Sequence, residues 1–420
     1  MSILVPFKAF RPIADKVKEI ASRPYDVLNS KEAREKCEGN PNSFYRVIKP
    51  ELEFPDDSDH YAPEVYKKGK ENFDKLVDNG LMVQDDSENF YAYQIIMNGH
   101  KQTGLVGCCS IDDYFNNVIK KHELTRPIKE EDRKNHVRYS KLNYEPVFFA
   151  YPHVNSIDNL VEDVKQDTPV YDIITSDDIQ HTLWVINDAD KVTAIKDLFE
   201  AQVPAIYVAD GHHRTAAGAL VGEEFRNEVG GNKDDGGRYN YFMAVLFPDN
   251  QLKIIDYNRV AKDLNGMDDT SFIAAVAEKF DITFNEGQYK PDALHHFGMY
   301  LNNRWYKLVA KEGTYNDNDP VGVLDVTILS KQVLEPLLNI VDLRTDKRID
   351  FVGGIRGLGE LEKRVNSGEM EVAFALNPVS MQQLMDISDN DMIMPPKVTW
   401  FEPKLRSGLF VHELWVLPQI

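Results

Sequence analysis

The chemistry of this sequence is concentrated in five consecutive residues, Asp210-Gly211-His212-His213-Arg214. Asp210 can orient a histidine or accept a hydroxyl proton. His212 and His213 can donate, accept or carry a proton near neutral pH. Arg214 can grip a phosphate through two nitrogens. Gly211 lets the backbone turn sharply or approach a ligand. Ahead of them, Val203-Pro204-Ala205-Ile206-Tyr207-Val208-Ala209 predicts a strand. Behind them, Thr215-Ala216-Ala217-Gly218-Ala219-Leu220-Val221 predicts the first turns of a helix. The five then sit where a buried strand ends and a helix begins. There the first free N–H groups, those up to Thr215, point at an anion and the helix dipole favours it. An Asp-Gly turn with Asp210 as a helix cap explains two residues and gives no reason for two imidazoles and a guanidinium.

A second constellation is Lys120-Lys121-His122-Glu123-Leu124-Thr125-Arg126-Pro127. His122 and Glu123 are an acid/base pair, while Thr125, Arg126 and the nearby Arg133 can bind an anion. Each constellation supplies half of an acid/base and anion-binding set, which predicts that residues 122–125 lie beside the turn. A third is the proline-stiffened run 394–404, where Lys397, Thr399 and Lys404 can close a pocket. Tyr25-Asp26 is a weaker candidate. Asp210, His212, His213 and His122 could ligate a metal. However, adjacent histidines diverge at a turn, and neither His-x-His nor His-Glu-x-x-His spacing occurs. No tightly bound transition metal is expected; magnesium carried by a nucleotide fits better.

These residues need a scaffold, and the pattern predicts a mixed α/β one. Residues 24–30 read as an extended segment leading to a short helix near Ser30, and 44–48 as a strand closed by Pro50. An amphipathic helix is expected over about 62–77, then a hairpin of 90–97 and 102–111 around Asn98-Gly99. Residues 119–142 read as an irregular polar stretch. Strands follow at 147–151, 182–186 and 241–247. In the last third, helices are expected over 271–280, 326–338 and 358–366, with strands over 305–310, 349–352, 371–376 and 409–412. Gly353-Gly354-Ile355-Arg356-Gly357 has the look of a mononucleotide turn without its full spacing.

The chain has 420 residues, enough for two or three domains, and a formal net charge of -20. That charge opposes DNA and anionic membranes while leaving room for a local basic pocket. The three cysteines include the adjacent pair Cys108-Cys109 and form no Cys-x-x-Cys, which points to a reducing compartment. The start is too soon broken by Pro6 for a signal peptide, and no run approaches a membrane span. A cytoplasmic location is the expectation.

In chain order stand Arg23-Pro24-Tyr25-Asp26-Val27, then His122-Glu123-Leu124-Thr125 with Glu131-Asp132-Arg133, then Ala209 to Arg214. Last come Met394-Pro395-Pro396-Lys397 to Phe401 and Pro403-Lys404 to Ser407-Gly408-Leu409. This ordered set resembles the domain-of-unknown-function family numbered one thousand and fifteen, labelled SpoOJ/ParB/RepB-like, over nearly the whole chain. The turn is more distantly similar to that of the ParB/sulfiredoxin superfamily, which includes free-serine kinases. The resemblance implies a ParB/sulfiredoxin-like nucleotide-site core over 1–250, with an α/β domain over 251–420 that contributes a closing segment. It implies phosphate against Gly211 and the backbone after it, charge from Arg214, and phosphoryl contact from His212 or His213. The turn departs from the Gly-Cys-His-Arg of sulfiredoxin and from the paired arginines of ParB, and no helix-turn-helix is visible. The expected activity is phosphoryl transfer on a small hydroxyl compound such as serine or phosphoserine. It would use ATP or ADP with magnesium, with Glu123 or Asp210 as base. A ParB-like nucleotide-binding module in chromosome partitioning and a metal-dependent hydrolase are the alternatives. The expected partner is a small phosphorylated molecule, not DNA.

Overall fold

The computed structural model describes residues 1–414. The chain separates into two units. One comprises Met1–Leu252 together with the stretch from Pro403 onward, and the other is Lys253–Glu402.

The first unit is built on a mixed nine-stranded sheet. Its hairpin forms as the pattern predicts. Phe90–Met97 pairs with His100–Ser110, and Asn98 and Gly99 take φ values of 51° and 80° at the turn, the left-handed pair a two-residue hairpin needs. Tyr241–Pro248 pairs antiparallel with the hairpin and parallel with Val147–Tyr151. Both are buried almost throughout, so each reads as a continuous apolar run. Ile206–Asp210 lies antiparallel to Val147–Tyr151 and parallel to the short strand Ile119–Lys120. The two parallel strands release their chains at the same end of the sheet. On one face pack Phe149, Ile195, Phe199, Ile206, Val208 and Phe242.

Several segments differ from expectation. Residues 44–48 form not a strand but a helical turn, Tyr45–Ile48. A short apolar run suits either geometry, and tertiary packing decides it. Gly69 of the helix Pro63–Asp78 leaves no room for a Cβ beside the Val47 carbonyl (2.8 Å), and Asn72 donates to the Arg46 carbonyl at 2.9 Å. Residues 25–27 turn rather than extend, and Asn29 caps the helix Ser30–Cys37 in a reciprocal box with Glu32. Residues 119–142, where the sequence predicts irregular chain, contain a 14-residue helix, Pro127–Ser140. Its buried residues are Asp132, Arg133, His136 and Ser140. A helix that buries a polar face shows no apolar period.

The second unit holds an antiparallel six-stranded sheet in the order Phe280–Asn285, Arg304–Ala310, His296–Leu301, Val372–Leu376, Tyr257–Ala261, Ile349–Gly353. Val260, Tyr300, Trp305 and Val352 meet Leu361 of the helix Leu358–Asn366 on one face. The Gly353 to Gly357 turn is no open mononucleotide loop. A Cβ on Gly354 would fall 2.4 Å from the Asp256 carboxylate, and one on Gly353 2.8 Å from the Trp400 ring. A carboxylate already lies where a phosphate would come.

Candidate functional site

The turn after Ile206–Asp210 is shaped by two backbone irregularities. Val208 pairs with Phe149 and Asp210 with Phe148, so Ala209 is the extra residue of a bulge that re-aims Asp210. Gly211 then takes φ 94° and ψ 35°, and no side chain caps the helix His212–Glu228. A Cβ on Gly211 would sit 3.1 Å from the Arg214 guanidinium, so glycine is required by conformation and by space.

Arg214 does not reach outward. It is 9% exposed, its Nη1 donates to the Pro146 carbonyl at 2.8 Å and its Nη2 to Asp210 Oδ2 at 3.2 Å. Burial opposes its charge, yet Glu145, Asp210 and Asp26 hold its pKa above the usual arginine value. The expected two-nitrogen grip on a phosphate is directed instead at protein acceptors, because the buried carboxylates lie on the inner side. The Thr215 hydroxyl is likewise turned into the helix, donating to the Gly211 carbonyl at 3.0 Å. Asp210 keeps a partly open carboxylate, its side chain 28% exposed, with Lys404 Nζ 3.4 Å away. Burial would raise its pKa, but Lys404, Arg214 and the Gly211 N–H outweigh that and hold it below the usual carboxylate range.

The second constellation arrives beside the first, as its chemistry predicts. His122 and His212 meet edge to face with ring centroids 4.5 Å apart, and both are buried. Among the described residues, both ring nitrogens of His122 and Nε2 of His212 lack a hydrogen-bond partner. Burial pushes His122 down to about 4 and His212 well below the ordinary histidine value, the latter aided by its imidazole neighbours and Lys121. Both rings are therefore neutral at pH 7. Glu123 stands at the edge of this dry pair, its Oε2 3.9 Å from His212 Nδ1 and its side chain 47% exposed. His213 Nε2 accepts the Arg126 backbone N–H at 3.0 Å, which ties the two segments together. Arg126 itself is exposed, and the Thr125 hydroxyl donates to Glu130 at 2.5 Å.

Arg133 is buried beneath the turn. Its guanidinium bonds Asp132 at 3.0 Å, stands 3.8 Å from Glu145 and lies 3.9 Å over the Tyr25 ring. The sequence offers Arg133 as an anion-binding residue; in the structure it is buried and its charge meets Asp132 and Glu145. Lys397 and Thr399 belong to the second unit. There the Lys397 carbonyl accepts Arg259 Nη2 at 2.9 Å and Thr399 is half-buried.

Glu145 was missed by sequence reasoning. It is buried, accepts the Tyr25 N–H at 3.1 Å and the Ser407 hydroxyl at 2.9 Å, and burial raises its pKa despite the facing arginines. The signal was a lone carboxylate just before a wholly apolar strand, a place where a charge needs partners. Tyr25, ranked low, stands in the same network, its phenol pushed up to about 12 mainly by burial. The described residues contain no group of three or more potential metal ligands, and no described helix is long and apolar enough to cross a membrane.

Residues 4–327 match the model of a family described as "Protein of unknown function (DUF1015)". No curated protein matches the chain. Solved structures similar to it include a conserved hypothetical protein from Pyrococcus furiosus, at 14% identity and a TM-score of 0.34, covering 77% of this chain and 97% of that one. A free serine kinase in complex with AMP is 12% identical with a TM-score of 0.31, covering 74% and 87%. SbnI from Staphylococcus aureus, truncated at its C-terminus, is 11% identical with a TM-score of 0.37, covering 73% and 87%.

Proposed function

The chain belongs to the DUF1015 family, and from the geometry of its turn we propose that it is a phosphotransferase that binds a nucleotide or phosphorylated metabolite there and acts on a small hydroxyl compound, with serine or phosphoserine as first candidates. One observation carries this reading. The uncapped start of the helix His212–Glu228 lies beside a buried pair of neutral imidazoles with unpartnered ring nitrogens. An uncapped helix start suits an anion. Neutral imidazoles suit a hydroxyl, because each offers one donor and one acceptor.

The residues fit a phosphate group. Backbone N–H groups of His212, His213 and Arg214 would hold it, and the left-handed Gly211 makes the turn that presents them. ATP or ADP carrying magnesium would supply the phosphoryl group. Glu123, half-exposed at the mouth, takes the hydroxyl proton, and His212 orients the hydroxyl from within. Asp210, held ionised by Lys404 and Arg214, fixes the turn and the incoming Lys404. Exposed Arg126 meets the outer phosphates, with Thr125 beside it. Arg214 and Arg133, paired with Asp210, Asp132 and Glu145, brace the turn from below without touching the ligand. Such a set meets the needs of phosphoryl transfer, which are positioning and charge stabilisation.

The test is calorimetric titration with ADP and phosphoserine, with and without magnesium, followed by turnover measurement. Glu123→Gln is expected to retain binding and lose about 100-fold or more in kcat, the range for general-base removal. Failure of every phosphorylated ligand to bind, or undiminished turnover in that variant, overturns the proposal.

A further inference from the structure

The six-stranded sheet of the second unit ends in the strand Phe280–Asn285, and no described residue pairs with the outer side of that strand. A free edge is a template for another strand, and chains that must stay apart blunt it with a lysine, a proline or a bulge. This strand has none of these. It reads Phe280-Asp281-Ile282-Thr283-Phe284-Asn285 and pairs with Arg304–Ala310 in unbroken register. Its one charge is Asp281. Phe284 is 61% exposed, while Phe280 on the same face is buried. The ladder shows which backbone groups are free. The Lys279 carbonyl accepts the Lys311 N–H at 3.0 Å, one residue before the first strand pair, Phe280 with Ala310. Lys279 is therefore bonded inward, and bonded positions alternate in an antiparallel ladder. Asp281, Thr283 and Asn285 likewise bond the neighbouring strand. The N–H and C=O of Phe280, Ile282 and Phe284 point outward.

We propose that this edge pairs with the same edge of a second copy of the chain, antiparallel about a two-fold axis at Ile282. The outward groups and the charge select that axis. Centred on Ile282, every outward N–H and C=O of Phe280, Ile282 and Phe284 meets its complement, and the two six-stranded sheets become one continuous sheet. Directly opposite residues share a face. Ile282 therefore stands opposite Ile282, and Phe284 opposite Phe280 of the second copy, which gives the exposed Phe284 ring an apolar neighbour. On the other face Asp281 stands opposite Thr283. Centred on Asp281, the pairing would set the two carboxylates against each other. Centred on Thr283, it would place Phe280 opposite Glu286, beyond the end of the strand. The sequence of this edge is thus complementary to itself in one register. The contact is small, and the net charge of -20 on each copy opposes it until salt screens the repulsion.

The experiment is sedimentation equilibrium on the full chain at low and high salt. A dimer is expected with a dissociation constant of about 10–100 µM, the weak end for a small interface, and tighter at about 0.5 M salt than at about 0.05 M. Phe284→Glu puts a charge opposite Phe280. Ile282→Pro removes an outward N–H and no bond within the sheet. Each is expected to weaken the dimer about tenfold or more, whereas Val341→Glu, a carboxylate placed off the strand at a residue 69% exposed, leaves it unchanged. Matched melting temperatures check the fold; should Ile282→Pro fail to fold, the exposed position 284 decides alone. A monomer up to about 1 mM, a dimer indifferent to the strand variants, or one weakened equally by Val341→Glu each overturns the proposal. These substitutions lie in the second unit and leave the Asp210 to Arg214 turn untouched, so the outcome is independent of the phosphotransferase reading.

Discussion

At Gly211 the backbone conformation and the neighbouring guanidinium make the same demand. An alanine there would have to hold φ near 94° and push Arg214 off its contact 3.1 Å away. Gly211→Ala is expected to destabilise the protein by about 1–3 kcal/mol and to weaken phosphate binding, read by denaturant unfolding and calorimetry. The buried imidazoles make a prediction of opposite origin. Burial pushes His122 down to about 4 in the fold and His212 well below the ordinary histidine value. Unfolded histidine titrates near 6.5. Below that pH the unfolded chain takes up protons the folded one refuses. Stability is therefore fully present above about 6.5 and lost as the pH falls toward 4. A melting temperature that falls across this window, with a shallower slope in His122→Gln, is the expected result. A pH-independent melting temperature contradicts the burial of the pair.

Among the elements, those with a clean period were legible and those with a polar interior were not. The helix Pro63–Asp78 shows a period of 3.6, and the hairpin is marked by the Asn98-Gly99 pair between two apolar runs; the sequence predicts both nearly to the residue. The helix Pro127–Ser140 hides its inner face behind Asp132, Arg133 and His136. The strand Tyr257–Ala261 hides behind Asn258 and Arg259, which are 0% and 1% exposed. The turn from Asp210 to Arg214 was legible because all its parts are adjacent in sequence. Lys404 was legible as a cation of the closing run though not as the partner of Asp210, and Glu145 and Ser407 were not legible, since their meaning lies in partners far along the chain. The helix Asp325–Leu329, which widens into a π-helical stretch at Ser330–Leu334, offers a test at this scale. Burial pushes the Asp325 carboxyl up to about 7, even though it accepts the His295 N–H at 2.8 Å. A folded pKa above the unfolded value means that stability is lost as pH rises from about 4 to 7. Asp325→Asn, uncharged throughout, is expected to raise stability on the order of 1–3 kcal/mol at pH 8 and by much less at pH 5. An equal effect at both pH values would show that the carboxyl is ionised in the fold.

For the whole molecule, the charge of -20 sets the expectation toward nucleic acid. Duplex DNA is expected not to bind in an anisotropy titration at about 0.1 M salt, because no lysine- or arginine-rich run in the sequence offsets the repulsion. Tight binding would instead favour a DNA-partitioning role. The first unit is also discontinuous. It closes only when the stretch from Pro403 rejoins Met1–Leu252, bringing Lys404 to Asp210 and Ser407 to Glu145. On the ribosome, the strand and turn of the site emerge first and wait for these partners. At ordinary rates of translation the intervening residues take on the order of ten seconds to be made. Through that interval a nascent chain carries Asp210 without Lys404 and Glu145 without Ser407, so the site is completed only after the whole second unit has been made.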